Sequence, residues 1–290
     1  MNNIITRLII LSFLLTLLNA CSIGKITVRA SLPMIEGGIV AMNRETDLKL
    51  AKAAIPANMG MLEGLLVKDP ENHVLHEYAA QGYYGFSYGF VEDENRERAS
   101  QLYYRGFKHG KQALEEYDLT EAQLKGQLDA LQQALQQLDE DAVPALFWTA
   151  SNWTKWIDMN RDSADSIAQM PKAVMLMQRV LELDDHYFLS GAHIFFAAYY
   201  GSRSPMMGGD FARSEKHFKQ ARINTENKIL LIDLLQAQYL DRQRFQRKAF
   251  HQHLQHIIDA PDNLYPDQGL INAIAKQKAV ELLKREDEWF

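Results

Sequence analysis

The stretch from His186 to Ala221 reads HYFLSGAHIFFAAYYGSRSPMMGGDFARSEKHFKQA. Its first half is apolar and aromatic and long enough for about four helical turns. Ser202 to Gly209 then breaks the pattern with proline and two glycines, residues that stop helices and form turns. Asp210 is a helix-capping residue type, and Ser214, Phe218 and Ala221 follow at steps of four and three. Those steps place a small, a bulky and a small side chain on one face of a second helix. The stretch therefore predicts two helices joined by a tight turn, the second touching the first through its small residues.

The same rhythm recurs along the chain. Ala99, Tyr103 and Gly106 repeat it, and Ala173, Met177 and Val180 repeat it with larger residues. Each triple follows an earlier candidate helix, at about 72–90, 144–160 and 186–201. A fourth pair, about 227–241 and 243–259, has the length but carries Phe245, Phe250 and Leu254 instead. Period-two alternation with β-branched residues is scarce. The expected fold is all-α: a tetratricopeptide-like α-solenoid of helix hairpins, in which each repeat buries its face on its neighbours. Nearer the N-terminus, Leu48, Ala51, Ile55, Met59, Leu62 and Leu66 mark a further helix, with Pro56 expected to kink it. Asp69-Pro70 ends that helix, and Asn72 opens the next. Leu124, Leu128, Leu131, Leu135 and Leu138 form a short heptad stripe, fit either for packing on the solenoid or for self-association.

The N-terminus has a different character. Arg7 precedes the apolar run Leu8 to Leu18, and Ala20 precedes Cys21, the single cysteine of 290 residues. The run is too short to span a bilayer. A basic start, a short apolar core and a small residue before the cut form an export signal. Leu18-Asn19-Ala20-Cys21 resembles the bacterial lipobox, which implies acylation of the Cys21 thiol. A plain signal peptide with a chance cysteine is the other reading. Ser22 is not the aspartate of inner-membrane retention, so the expected place is the periplasm, with the lipid in the inner leaflet of the outer membrane. The domain reading is 1–20 signal peptide, 21–46 tether and linker, and 47–290 helical domain. Removing the first 20 residues takes away only Arg7 and moves the formal charge from −6 to −7. A mildly acidic chain without a basic block argues against a nucleic-acid partner.

Three stretches go further than generic repeats: DAVPALFWTASNWTKWIDMN from Asp141, the opening stretch from His186, and LLVKDPENHVLHEYAAQGYYGFSYGFVED from Leu65. Together they resemble the T component of tripartite ATP-independent periplasmic (TRAP) transporters, the TatT family, over about Asp47 to Asp259. The V-P-A-L-F-W run and the P-x-x-G-G-D turn before S-x-x-x-F-x-x-A are the most specific marks. The resemblance implies a periplasmic lipoprotein with a central cleft or pore and no enzymatic activity. It also implies association with the solute-binding P component and a tendency to form homotrimers. Asn152-Trp153-Thr154-Lys155-Trp156 departs from the pattern by placing polar residues where small apolar ones are expected. A scaffold for cell-envelope assembly is the alternative function.

No cofactor, metal or catalytic set is expected. His251, His253 and His256 cluster, and His73 pairs with His76, but neither group offers converging ligands for a metal. No G-x-S-x-G elbow exists. Met206-Met207-Gly208-Gly209-Asp210 lacks a P-loop lysine and reads as a turn with Asp210 as a cap. Asp184-Asp185 reads as a favourable charge at a helix start. Aromatics crowd three hairpins, and neighbours lie about 100° apart on a helix, so not all can face one core. They either fill the core or line a cavity. The cavity candidates are Tyr83, Trp148, Trp153, Trp156 and Tyr199, with Arg203 as an anion contact and Lys155 as the other nearby charge.

Overall fold

A computed structural model describes residues 24–290; Cys21 and the expected signal peptide lie outside the described residues. Every regular element among the described residues is helical. Helix α1 covers 24–43, α2 Leu48–Leu66, α3 His73–Phe90 and α4 Arg96–Glu115. Two short helices, α5 Glu121–Lys125 and α6 Leu128–Gln136, lead to α7 Val143–Met159. Then come α8 Ala164–Ile167, α9 Met170–Leu183, α10 Tyr187–Gly201 and α11 Phe211–Asn224. Finally α12 Leu231–Leu235 passes into a π-helical turn, Gln236–Asp241, ahead of α13 Arg247–Asp259 and α14 Gly269–Lys284.

Local chemistry sets the boundaries. Asp47, Asn72, Asn95 and Asp210 are N-caps whose side chains accept backbone N–H groups of the first turn, so the turn at Met206–Asp210 ends in a cap as expected. Helix α2 continues through Pro56. The leucine stripe is split at Gly126 into α5 and α6, and Leu124, Leu131, Leu135 and Leu138 join the core beside α7 and α9. Leu128 alone is exposed. Phe245 is not a motif residue: it lies in a left-handed turn (φ 55°) and is 79 % exposed.

The hairpins stack in chain order. α3 packs on α4, α7 on α4, α9 on α7 and α10 on α11. The small-bulky-small triples sit at these contacts and are buried throughout: Ala99, Tyr103, Gly106; Ala173, Met177, Val180; Ser214, Phe218, Ala221. Ser214 donates its hydroxyl to the Ala197 carbonyl of α10 at 2.7 Å. Asn152, out of place for an apolar pattern, fits for the same reason. Its amide donates to the carbonyls of Ala80 on α3 and Trp148 on α7, at 3.0 and 2.9 Å, and Gly106 of α4 leaves it room.

Two features go beyond a simple row of repeats. The stretch read as tether and linker is helical over 24–43, and Val28 and Ile35 are buried against Leu62, Leu66 and Leu75. At the other end, α14 returns to pack on α2. Its Ile274 enters the core cluster of Ala51, Tyr83 and Phe86. Arg44 pairs with Asp267 at 2.8 Å, and Lys278 with Asp93 at 2.5 Å. The array of hairpins is thereby closed into a ring.

Candidate functional site

The ring encloses a cavity of about 1300 Å³. That exceeds the roughly 300–1,000 Å³ usual for small-molecule sites. Its walls come from α1, α2, α3, α7, α10, α12 and α14, with Ile167 of α8 and Met170 and Pro171 from the start of α9. Helices α4, α11 and α13 pack outside and contribute no lining residue. The division follows from helical periodicity. On α7, Trp148, Ser151, Lys155 and Asp158 face the cavity, while Thr149, Asn152, Trp153 and Trp156 lie on the opposite face. On α10, Ile194, Phe195, Ala198, Tyr199 and Ser202 face the cavity, and buried Phe196 and Ala197 turn away from it.

Of the sequence candidates, Trp148, Tyr199 and Arg203 line the cavity and Tyr83, Trp153 and Trp156 do not. Tyr83 points towards α2 and α4. It donates to Glu63 at 2.6 Å, stacks on His109 and lies under Arg105. Its neighbour Tyr84, one helical step round, supplies the lining instead. Trp153 stacks on Phe107 at 4.7 Å and donates Nε1–H to Gln169 at 2.9 Å. Trp156 packs on Tyr104. Counting aromatics on a hairpin does not tell which helix face each occupies; contacts with the outer helix decide that.

Two irregular backbone segments shape the wall. Phe188, Leu189 and Ser190 adopt left-handed φ values of 42°, 61° and 62°. Such conformations cost roughly 1–2 kcal/mol per non-glycine residue and persist only when packing holds them. Here Ser190 donates to the Asp185 carbonyl at 2.9 Å and accepts from Asn224 at 2.9 Å. Phe188 and Leu189 are thereby turned into the cavity, Phe188 edge-on to Trp148 with centroids 4.5 Å apart. The second segment is the π-turn, which carries Tyr239 into the lining. π-turns concentrate at functional sites.

One wall holds a buried ion cluster. Glu92 accepts from Lys155 at 2.6 Å and from Tyr103 at 2.7 Å, and Lys278 lies 3.5 Å away. Burial disfavours the Glu92 carboxylate, but Lys155 and Lys278 outweigh that and hold its pKa below the ordinary value. Burial likewise disfavours the Lys155 ammonium, and Glu92 outweighs it, so the lysine pKa is raised. Both groups are charged. Glu92 lies in the turn after α3; its lysine partners are far along the chain, and no local signal in the sequence finds them.

The histidines have other occupations. His251, His253 and His256 each face a separate carboxylate: Glu286, Asp241 and Asp233. His76 meets His109 through Nδ1 atoms 2.9 Å apart, and His193 meets His217 at 2.8 Å. Among the described residues no group of three or more histidine, cysteine or acidic side chains is placed to hold a metal.

A closed ring of hairpins around a large apolar cavity matches the arrangement implied by the resemblance above, and the sequence comparison agrees. The family model for the TRAP transporter T-component matches residues 44–290. The chain belongs to that family. No curated protein matches it. As a T component it is an accessory part of a TRAP transport system, a family not known for catalysis, and an envelope location goes with that role. No helix among the described residues is long and apolar enough to cross a membrane. Helix α1 precedes the matched range, yet this T component uses its Met34, Ile35 and Ile39 as cavity wall.

Proposed function

We propose that the protein is a non-enzymatic lipoprotein, acylated at Cys21 and held in the inner leaflet of the outer membrane. There it binds the solute-binding P component of a TRAP transporter and receives a hydrophobic or amphipathic ligand in its cavity. The domain scheme is a signal peptide over 1–20 and a helical body beyond it, assembled as a homotrimer. The observation that carries the ligand reading is the large central cavity, open to solvent on part of its surface, whose lining is mostly apolar with a few polar groups in fixed places. Sites that bind small molecules share that character. Acylation rests on Leu18-Asn19-Ala20-Cys21. Two or three acyl chains give stable anchoring where one does not.

Gly85 provides the test. It lines the cavity, and a Cβ added there meets open space. Gly85→Phe should project a ring into the cavity from the α3 wall, obstructing part of it, and leave the helical signal intact. Tryptophan fluorescence of the wild type should shift on adding envelope lipid extract or the cognate P component. The variant should lose the response to lipid. A wild type that responds to neither at micromolar concentration contradicts the transport reading and favours the envelope scaffold. For the anchor, labelled palmitate should enter the wild type and not Cys21→Ser; equal labelling contradicts acylation.

A further inference from the structure

We infer that the cavity takes an amphiphile with an anionic head, the head held by Arg203 and the chain lying over Phe188, Leu189 and Trp148. The inference rests on the ligand reading above and adds the chemical class.

Three cationic side chains line the cavity: Lys155, Arg161 and Arg203. Lys155 is taken by Glu92 at 2.6 Å, and Arg161 is paired with Asp158. Drawing Lys155 towards a ligand would leave Glu92 with the more distant Lys278, at 3.5 Å. Separating a buried pair in that way is costly. Arg203 is different. Among the described residues its guanidinium has no carboxylate and no hydrogen-bond partner. It lies over the Tyr199 ring, 4.0 Å from its centroid. Stacking occupies the face of the guanidinium and leaves its edge, with five N–H donors, unused. That edge suits a carboxylate or phosphate head, which it can hold with two parallel hydrogen bonds.

The placement supports the same reading. Arg203 follows the last turn of α10, so the body of that helix and the ring of Tyr199 fix the side chain on the wall. Immediately upstream on the same helix, Phe195 and Ala198 continue the lining as apolar surface, and Phe188 and Leu189 extend it. A cation at one end of an apolar wall matches a head and a chain. The protein's net charge of −6 would repel anions at long range, so selection of an anion must come from this local contact.

Binding of radiolabelled oleate and of oleyl alcohol to the protein purified from its own envelope tests this. The two probes share a chain and differ in head charge. The wild type should prefer oleate by about tenfold, the scale of one charge-assisted contact. Arg203→Gln should lose the preference while still binding the alcohol. Arg203→Lys should restore part of it, since a lysine keeps the charge without the fork. Equal affinity of the wild type for both probes overturns the inference but leaves the cavity as a ligand site. Persistence of the preference in Arg203→Gln overturns it as well, because another group then holds the anion. Failure of the wild type to bind either probe removes the ligand reading itself, and this inference with it.

Discussion

Glu77 is a carboxylate on α3 that is 8 % exposed and has one distant partner, the Tyr117 hydroxyl at 3.5 Å. Burial pushes its pKa up to about 7, and the Tyr117 contact only partly opposes this. The folded state therefore holds the Glu77 proton up to a higher pH than the unfolded chain does. The associated stability is complete below about 4.5, the unfolded value, and is lost as pH rises through 7. Glu77→Gln should raise the melting temperature at pH 8, by the equivalent of about 1–3 kcal/mol, and make little difference at pH 4. Thermal melts at the two pH values decide it; an equal effect at both contradicts the assignment. His217 carries the opposite sign. Burial lowers its pKa to about 4, and His193, Lys216 and Arg213 push the same way. Its contribution is complete above about 6.5 and is lost as pH falls towards 4. The ring lies stacked among Phe196 and Tyr200, so His217→Phe should keep the packing and lose less stability than wild type between pH 7 and pH 4.5. Neither group announces itself in sequence. Both lie on helices whose inner or outer face is set by partners more than twenty residues away.

At the scale of the element, glycine divides into two kinds. Gly110 on α4 faces α7 so closely that an added Cβ would lie 2.8 Å from the Thr149 Cα. Backbone cannot step aside, so Gly110→Ala should destabilise by about 1–3 kcal/mol. Gly60 on α2 has nothing within 4 Å of an added Cβ. There the same substitution removes only the entropic cost of a helical glycine and should stabilise by up to about 1 kcal/mol. Melting curves of the two variants should move in opposite directions; a Gly110→Ala variant at least as stable as the wild type means that α4 and α7 can separate without penalty. The contrast also explains what was legible. Small-bulky-small spacing at Ala99, Tyr103 and Gly106 finds the tight contact because helix geometry turns spacing directly into a shared face. It does not find the left-handed turn at Phe188–Ser190, because Phe-Leu-Ser has no glycine to mark it. The conformation is imposed by Asp185 and Asn224.

At the scale of the whole molecule, the ring is tied where its beginning, middle and end meet. Glu92 follows α3, Lys155 lies on α7 and Lys278 on α14, and all three side chains are at least 85 % buried. Hairpins in chain order are readable from repeats, since each contacts its neighbour. Closure is not, because it depends on a lysine 186 residues from its carboxylate. The cluster makes a quantitative claim about closure. Lys155→Met leaves Glu92 with Tyr103 and the more distant Lys278 and should cost about 3 kcal/mol, the penalty of an uncompensated buried charge. Lys278→Met leaves the shorter Lys155 contact in place and should cost less, about 1 kcal/mol. If the penalty belongs to the stranded carboxylate, adding Glu92→Gln to Lys155→Met should recover most of the loss, because removing both members of a buried pair is far cheaper than removing one. Chemical denaturation of these variants and of Glu92→Gln alone measures these differences directly. A double variant as unstable as the sum of its parts would mean that the two side chains act independently. The ring would then be held by Ile274 and its apolar neighbours with the Arg44–Asp267 and Lys278–Asp93 pairs, and the Lys155–Glu92 pair would be an ornament of the cavity wall rather than its tie.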